Sequence, residues 1–136
     1  MALTGGCYCG KVRYAASGDA ALKAQCHCRE CQYITGGGPN FFMLMPPDGF
    51  AYSQGAPKQF TRSDIPDPVT REFCADCGTH LVTRRPGLPF VILKVGTLDD
   101  PGVFGGPRMA IFTVDSQAFH HVQDGIPAFE RLPPQA

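Results

Sequence analysis

The chain has 136 residues with twelve basic and twelve acidic side chains, so its formal net charge is zero. A neutral chain has no long-range attraction for nucleic acids or anionic membranes, and no apolar run of about twenty residues predicts a membrane span. A hydrophobic content of 43% suits one folded domain with its own core.

Sixteen glycines and thirteen prolines divide the chain into short segments, which favours β-strands joined by tight turns. The first predicted strand, 11–16, alternates apolar and polar side chains. The sequence then predicts one helical turn at 29–35, which the glycines at 36–38 end. Further strands are predicted at 41–45, 58–62, 71–73, 79–84, 90–95 and 109–114, where apolar or β-favouring residues lie between the prolines.

All seven cysteines lie in three tight clusters, Cys7-x-Cys9, Cys26-x-Cys28-x-x-Cys31 and Cys74-x-x-Cys77. An odd number of cysteines, with C-x-C pairs that could bridge each other only under strain, argues against disulfides. The first residues lack the apolar stretch of a signal peptide, so we expect a reducing, cytoplasmic location. Thiols at these spacings are typical of zinc sites, and an iron–sulfur cluster is the alternative.

The number of cysteines also predicts what the metals do. A closed tetrahedral zinc site takes four protein ligands, whereas a catalytic zinc typically takes three and keeps one position open. Seven cysteines therefore predict one structural metal and one metal that is open to water or substrate.

Several polar side chains near the clusters have an ordinary structural explanation that we favour over a role in chemistry. His27 lies between two cysteines, and we expect it to face solvent or to support the site from behind. We expect His80 at a strand surface, and the arginines 84–85 as a surface pair rather than a carboxylate site. The histidines 120–121 receive no predicted role.

Four segments in chain order carry a family resemblance: GGCYCGKVRY at 5–14, CHCREC at 26–31, FCADCGT at 73–79 and GTLDDP at 96–101. Together they resemble the glutathione-dependent formaldehyde-activating enzyme family, which shares its domain with centromere protein V. The segment DGIPAF at 124–129 extends the similarity, which runs from residue 5 to about residue 133.

The resemblance implies a mainly β, Mss4-like (β-tent) fold of small antiparallel sheets around zinc, with little helix. It implies one zinc-binding domain over residues 5–133 and a tail at 134–136. It also implies two zinc sites, of which the three-cysteine site is the one expected to be incompletely occupied. The closed site would use Cys7, Cys9, Cys74 and Cys77, and the open site would use Cys26, Cys28 and Cys31.

The activity that the resemblance implies is that of a carbon–sulfur lyase, S-hydroxymethylglutathione synthase, with glutathione and formaldehyde as substrates. A zinc ion held by three thiolates leaves one position for an incoming thiol, whose pKa the metal lowers. Cys26, Cys28 and Cys31 are therefore the expected catalytic residues. The expected partners are a glutathione-like thiol and a small electrophile, with no nucleic acid and no membrane.

The chain also departs from the family pattern. It contains no tryptophan, and Phe119 stands where the family commonly has one. Gln32 follows the third ligand where a basic residue is usual. These departures leave the zinc scaffold intact but weaken the argument for glutathione. The alternatives are a zinc enzyme that uses metal-bound water on another small substrate, and a non-catalytic, zinc-stabilised binding module.

Overall fold

A computed structural model describes residues 2–134 of the chain. Over these residues it contains ten β-strands, one α-helix and four short 3-10 turns. In chain order the elements are β1 Leu3–Gly6, β2 Arg13–Ala16, β3 Leu22–Cys26, α1 Arg29–Thr35, β4 Asn40–Met45, β5 Phe50–Gln54, β6 Lys58–Thr61, β7 Thr70–Phe73, β8 His80–Arg84, β9 Val91–Lys94 and β10 Met109–Ile111.

The strands form two sheets. The smaller sheet is antiparallel, with the order β1-β2-β5. The larger sheet has the order β10-β3-β4-β9-β8-β7-β6, and it is antiparallel except for the parallel pair of β10 and β3. This mainly β architecture with a single short helix confirms the predicted fold class. No helix within residues 2–134 is both long and apolar enough to cross a membrane.

The hydrophobic core has two parts. The main core contains side chains that are at most 1% exposed, among them Tyr14, Met45, Leu81 and Leu93. A smaller core lies between β3, β4 and β10, and it includes two cysteines of the second cluster. The second cysteine cluster therefore packs against the smaller core, whereas Cys7 and Cys74 of the other two clusters belong to the main core.

Most predicted elements are present, with shifted ends. The helical turn at 29–35 is α1, and the strands predicted from 41 to 95 correspond to β4, β6, β7, β8 and β9. The prediction of a strand over 109–114 is wrong beyond Ile111, because Phe112 adopts a left-handed backbone conformation with φ 55° and a 3-10 turn follows. The first predicted strand, 11–16, begins only at Arg13, because residues 7–12 form the turn around the first cysteine pair.

The C-terminal segment runs beside β10. The N–H of Phe129 donates to the carbonyl of Ala110 at 2.9 Å, and the N–H of Phe112 donates to the carbonyl of Arg131 at 3.2 Å. This pairing brings Leu132 and the two prolines after it to the neighbourhood of the second cysteine cluster. Of the tail predicted at 134–136, residues 135 and 136 lie outside the described part of the chain.

A buried carboxylate joins the two sheets. Glu72 on β7 accepts hydrogen bonds from Tyr52 Oη at 2.6 Å, Gln59 Nε2 at 2.9 Å and Arg84 Nε at 2.8 Å. Burial raises the pKa of Glu72, but the hydrogen bonds from Arg84, Tyr52 and Gln59 outweigh it and hold that pKa below its usual range. Because Tyr52 lies on β5, the carboxylate links the small sheet to the large one.

We expect Glu72→Gln to lower the free energy of unfolding by about 1–3 kcal/mol at pH 7, because it removes the charge and leaves a buried donor without its acceptor. The folded-state pKa is lowered, so this contribution is fully present above the unfolded pKa of about 4.3 and is lost as pH falls through the folded value. Urea unfolding at pH 7 and at pH 3 measures the difference. Glu130→Gln, at an exposed carboxylate, is the control, and a Glu72→Gln effect of equal size at both pH values would contradict the prediction.

Candidate metal centres

The first cysteine group draws on two distant parts of the chain. Cys7 and Cys9 lie in the turn between β1 and β2, and Cys74 and Cys77 follow β7. The four sulfurs lie within 4.8 Å of one another, with 3.6 Å between Cys7 and Cys9 and 3.7 Å between Cys9 and Cys74. This donor set suits a closed tetrahedral zinc.

The turns around this group are built for close approach of backbone to sulfur. Gly10 and Gly78 have φ angles of 81° and 77°, which other residues rarely adopt. The N–H of Val12 donates to Cys7 Sγ at 3.3 Å, and the N–H of Cys77 donates to Cys74 Sγ at 3.5 Å. Such N–H···S contacts stabilise thiolates and support metal ligation.

The second cysteine group is local in sequence. Cys26 ends β3, Cys28 is the N-cap residue of α1, and Cys31 lies in the first turn of that helix. Cys28 Sγ accepts a hydrogen bond from the N–H of Cys31 at 3.3 Å. The three sulfurs lie within 4.8 Å of one another, and in the described part of the chain no fourth His, Cys, Asp or Glu donor joins them.

Hydrogen bonds link the three thiols of this group and shift their pKa values in different directions. Hydrogen bonds with Cys26 and Cys31 lower the pKa of the Cys28 thiol, whereas contacts with Cys28 and Cys31 raise the pKa of Cys26. Three thiolates this close repel one another, so they can ionise together only around a cation. The donor set therefore fits a thiophilic divalent metal such as zinc.

A cavity of about 470 Å³ opens over the second cysteine group. All three of its cysteines line the cavity. Apolar walls come from the large sheet and the C-terminal segment, namely Leu22, Phe42, Leu44, Ile92, Ile111 and Leu132. Charged side chains on its lining are Glu30, Arg71, Arg85 and Lys94. The cavity is large enough for a small organic molecule in contact with the sulfurs.

Arg71 and Lys94, two of the cations on the cavity lining, differ in whether a carboxylate pairs with them. Arg71 Nη2 lies 3.4 Å from Glu30 Oε1, and its side chain is 14% exposed. Lys94 is 7% exposed, and within residues 2–134 its ammonium forms no salt bridge with a carboxylate. Burial lowers the pKa of Lys94 to about 8, although the three cysteine sulfurs of this group act in the opposite direction.

His27 is completely buried, so the expectation that it faces solvent is wrong. Its Nε2 lies 2.9 Å from Gln25 Nε2, and its Nδ1 lies 2.9 Å from His120 Nδ1. Since Gln25 Nε2 also donates to the carbonyl of His121 at 2.9 Å, it is the donor to His27. The network thus assigns the proton of His27 to Nδ1.

His120 completes this network, which the sequence did not predict. Its Nδ1 accepts from His27 and from the N–H of Gln117, and its Nε2 donates to the carbonyl of Gly37 at 2.7 Å. Burial lowers the pKa of His27, and the nearby charge of His120 acts in the same direction. The hydrogen-bonded pair of histidines therefore ties the end of β3 to the backbone at Gly37 and Gln117.

The other polar predictions have mixed outcomes. His80 is half-buried in β8, and its Nδ1 is buried without a hydrogen-bond partner in the described region. Arg84 is not part of a surface pair, because it donates to the buried Glu72. Arg85 is exposed and lines the cavity over the second cysteine group. Sequence reasoning assigned no role to Arg71 or Lys94.

Comparisons with known proteins agree with this architecture. A crystal structure of a Rhodobacter sphaeroides protein, a structural-genomics target, superposes with a TM-score of 0.61 at 16% sequence identity, covering 93% of this chain and 99% of that one. This similarity shows a shared fold. The sequence model described as glutathione-dependent formaldehyde-activating enzyme matches residues 2–115. Since the match spans most of the sequence and contains both cysteine groups, the chain belongs to the glutathione-dependent formaldehyde-activating enzyme family.

Proposed function

We propose that this protein is a zinc-dependent carbon–sulfur lyase that forms and cleaves adducts of glutathione, or a similar thiol, with a small electrophile such as formaldehyde. The observation that carries the proposal is the group of three cysteine sulfurs on the lining of a cavity of about 470 Å³. Family membership supports glutathione and formaldehyde as the substrates. The reducing cytoplasm is the compartment that this thiol chemistry requires.

In this proposal residues 5–133 act as one zinc-binding domain with two centres. Cys7, Cys9, Cys74 and Cys77 would hold the structural zinc, and Cys26, Cys28 and Cys31 would hold the reactive one. A zinc ion bound by the three cysteines would lower the pKa of a thiol at its fourth position, which supplies a nucleophile at neutral pH.

The remaining residues of the cavity would hold and orient the substrates. Phe42, Leu44 and Ile92 form an apolar wall that excludes water from the reacting carbon. Arg85 lines the cavity, and a guanidinium suits a carboxylate of the thiol substrate. In the forward direction the thiolate sulfur attacks the carbonyl carbon, the carbon–sulfur bond forms as the carbonyl π bond breaks, and the oxygen takes up the proton that the thiol has lost. The reverse reaction breaks the same bond.

The experiment is exchange NMR with ¹³C-formaldehyde and glutathione at their spontaneous equilibrium. We expect zinc-loaded protein to accelerate exchange between free formaldehyde and the adduct by about tenfold or more over buffer, within the range of modest enzymatic rates. Protein from which a chelator has removed the metal of the second cysteine group is the control.

A parallel calorimetric titration measures which thiols bind to the protein and how binding depends on the second zinc ion. Glutathione is expected to bind protein that carries two zinc ions and not protein that carries one. If the protein accelerates formaldehyde exchange with 2-mercaptoethanol but not with glutathione, the substrate would be a thiol other than glutathione. No acceleration and no thiol binding at two zinc ions per chain would overturn the proposal.

A further inference from the structure

We propose that Lys94 is the counter-ion of the three-cysteine centre, and that its buried positive charge sets the metal affinity of that centre. The proposal rests on the second zinc site proposed above. It assigns a role to a residue on β9, which lies far from the cysteines in the sequence.

The charge of Lys94 is largely withdrawn from water. Lys94 is only 7% exposed, and lysine side chains are almost never this buried unless they are paired. Among residues 2–134, no carboxylate forms a salt bridge with it. Arg71, the other largely buried cation of the cavity, already has Glu30 at 3.4 Å. The charge of Lys94 therefore requires a different anion.

The register of the large sheet places Lys94 on the same face as Cys26. Lys94 on β9 lies directly opposite Phe42 on β4, and Phe42 lies directly opposite Ala24 on β3. Cys26 follows Ala24 by two residues, so its side chain points to the same face of the sheet. This face is the floor of the cavity, and both Lys94 and the three cysteines line it.

A metal-loaded three-cysteine centre needs a positive charge nearby. Three thiolates and one divalent ion carry one net negative charge, which is costly in a partly apolar cavity. The Arg71–Glu30 pair is neutral overall, and His80 beside it has its pKa lowered by burial and by the charges of Lys94 and Arg71. Arg85 also lines the cavity, but it is exposed, so water screens its charge. The largely buried ammonium of Lys94 therefore balances the remaining charge.

The test measures zinc affinity at each centre by competition with chelators. Lys94→Met is expected to weaken zinc binding at the three-cysteine centre by about 10–100-fold, the range typical for residues that support metal ligands. Lys94→Arg keeps the charge and is expected to stay close to the unmodified protein. Lys94→Gln is a second neutral variant in case the methionine variant does not fold.

The matched control is Lys11→Met. Lys11 is an exposed lysine near the other cysteine group, where it lies 3.4 Å from Asp76. Its removal is expected to leave the affinity of the three-cysteine centre unchanged, and the four-cysteine centre should respond to none of the substitutions at Lys94.

A second readout distinguishes charge balance from packing. In the Cys28→Ser background, which would lack the second metal, Lys94→Met should raise the urea midpoint because it removes an unbalanced buried charge. In the zinc-loaded protein with all cysteines, the same substitution should lower it. A side chain that only packs would change both midpoints in the same direction.

The outcomes separate the two proposals. If the unmodified protein binds one zinc ion, the second metal site fails and the role of Lys94 fails with it. If it binds two, and the neutral variants bind both with unchanged affinity, only the role of Lys94 is overturned.

Discussion

Cys74→Ser is expected to leave the protein largely unfolded at 25 °C. Cys74 is 1% exposed in the main core, and it belongs to the group of four thiols that joins two distant turns. Structural zinc contributes about 10–16 kcal/mol in small zinc domains, whereas a whole domain is stable by only about 5–15 kcal/mol. The stabilisation that is lost with this zinc site is therefore expected to exceed the free energy of unfolding of the whole domain.

The measurement is far-UV circular dichroism together with zinc content of freshly purified protein. Cys31→Ser, in the second cysteine group, is the matched control and is expected to keep the sheet signal and one zinc ion. A Cys74→Ser protein with native dichroism and undiminished zinc would show that the four-cysteine group does not hold the fold together.

Cys28→Ser is expected to reduce bound zinc from two ions to one and to bring formaldehyde–glutathione exchange down to the rate in buffer. The substituted residue is a ligand in the proposal, so the loss of affinity should exceed the roughly 10–100-fold effect of changing a supporting residue. The fold should persist, because serine can still cap α1 and the main core is untouched.

Thiol-binding calorimetry and exchange NMR on the same preparation check this expectation. Thr35→Ser at the end of α1 is the control, since serine retains the hydroxyl that donates to the carbonyl of Gly38 at 2.6 Å. Retention of full exchange activity in Cys28→Ser would remove the three-cysteine centre from the chemistry.

The sequence predicted β2, β4 and the five strands from β6 to β10, and it missed β1, β3 and β5. β3 was missed because its sequence, LKAQC, places polar Lys23 and Gln25 in the interior of a central strand. Gln25 is tolerated there because His27 and the carbonyl of His121 satisfy its amide. Only the folded chain brings His121 into contact, so no local pattern could reveal this.

The sequence predicted how the cysteines of the candidate site are grouped, but it did not predict the residues around them. The family resemblance grouped the cysteines as the geometry groups them, into a set of four and a set of three. Arg71, Lys94 and His120 come from separate elements, and only the sheet register and the loops bring them near the cluster. Lys94 did leave a signal, because a lysine inside the apolar run FVILKV is unusual for a buried strand.

The span of the four-cysteine group has a consequence for biosynthesis. Cys9 and Cys74 are separated by 65 positions, and their sulfurs lie 3.7 Å apart. At about 5–20 residues per second, a ribosome needs roughly 3–13 s to add the second pair of thiols after the first. During this interval the N-terminal thiols are open to oxidants and to the wrong metal, so we expect the yield of native protein on recombinant expression or refolding to depend on reductant and on the timing of zinc addition.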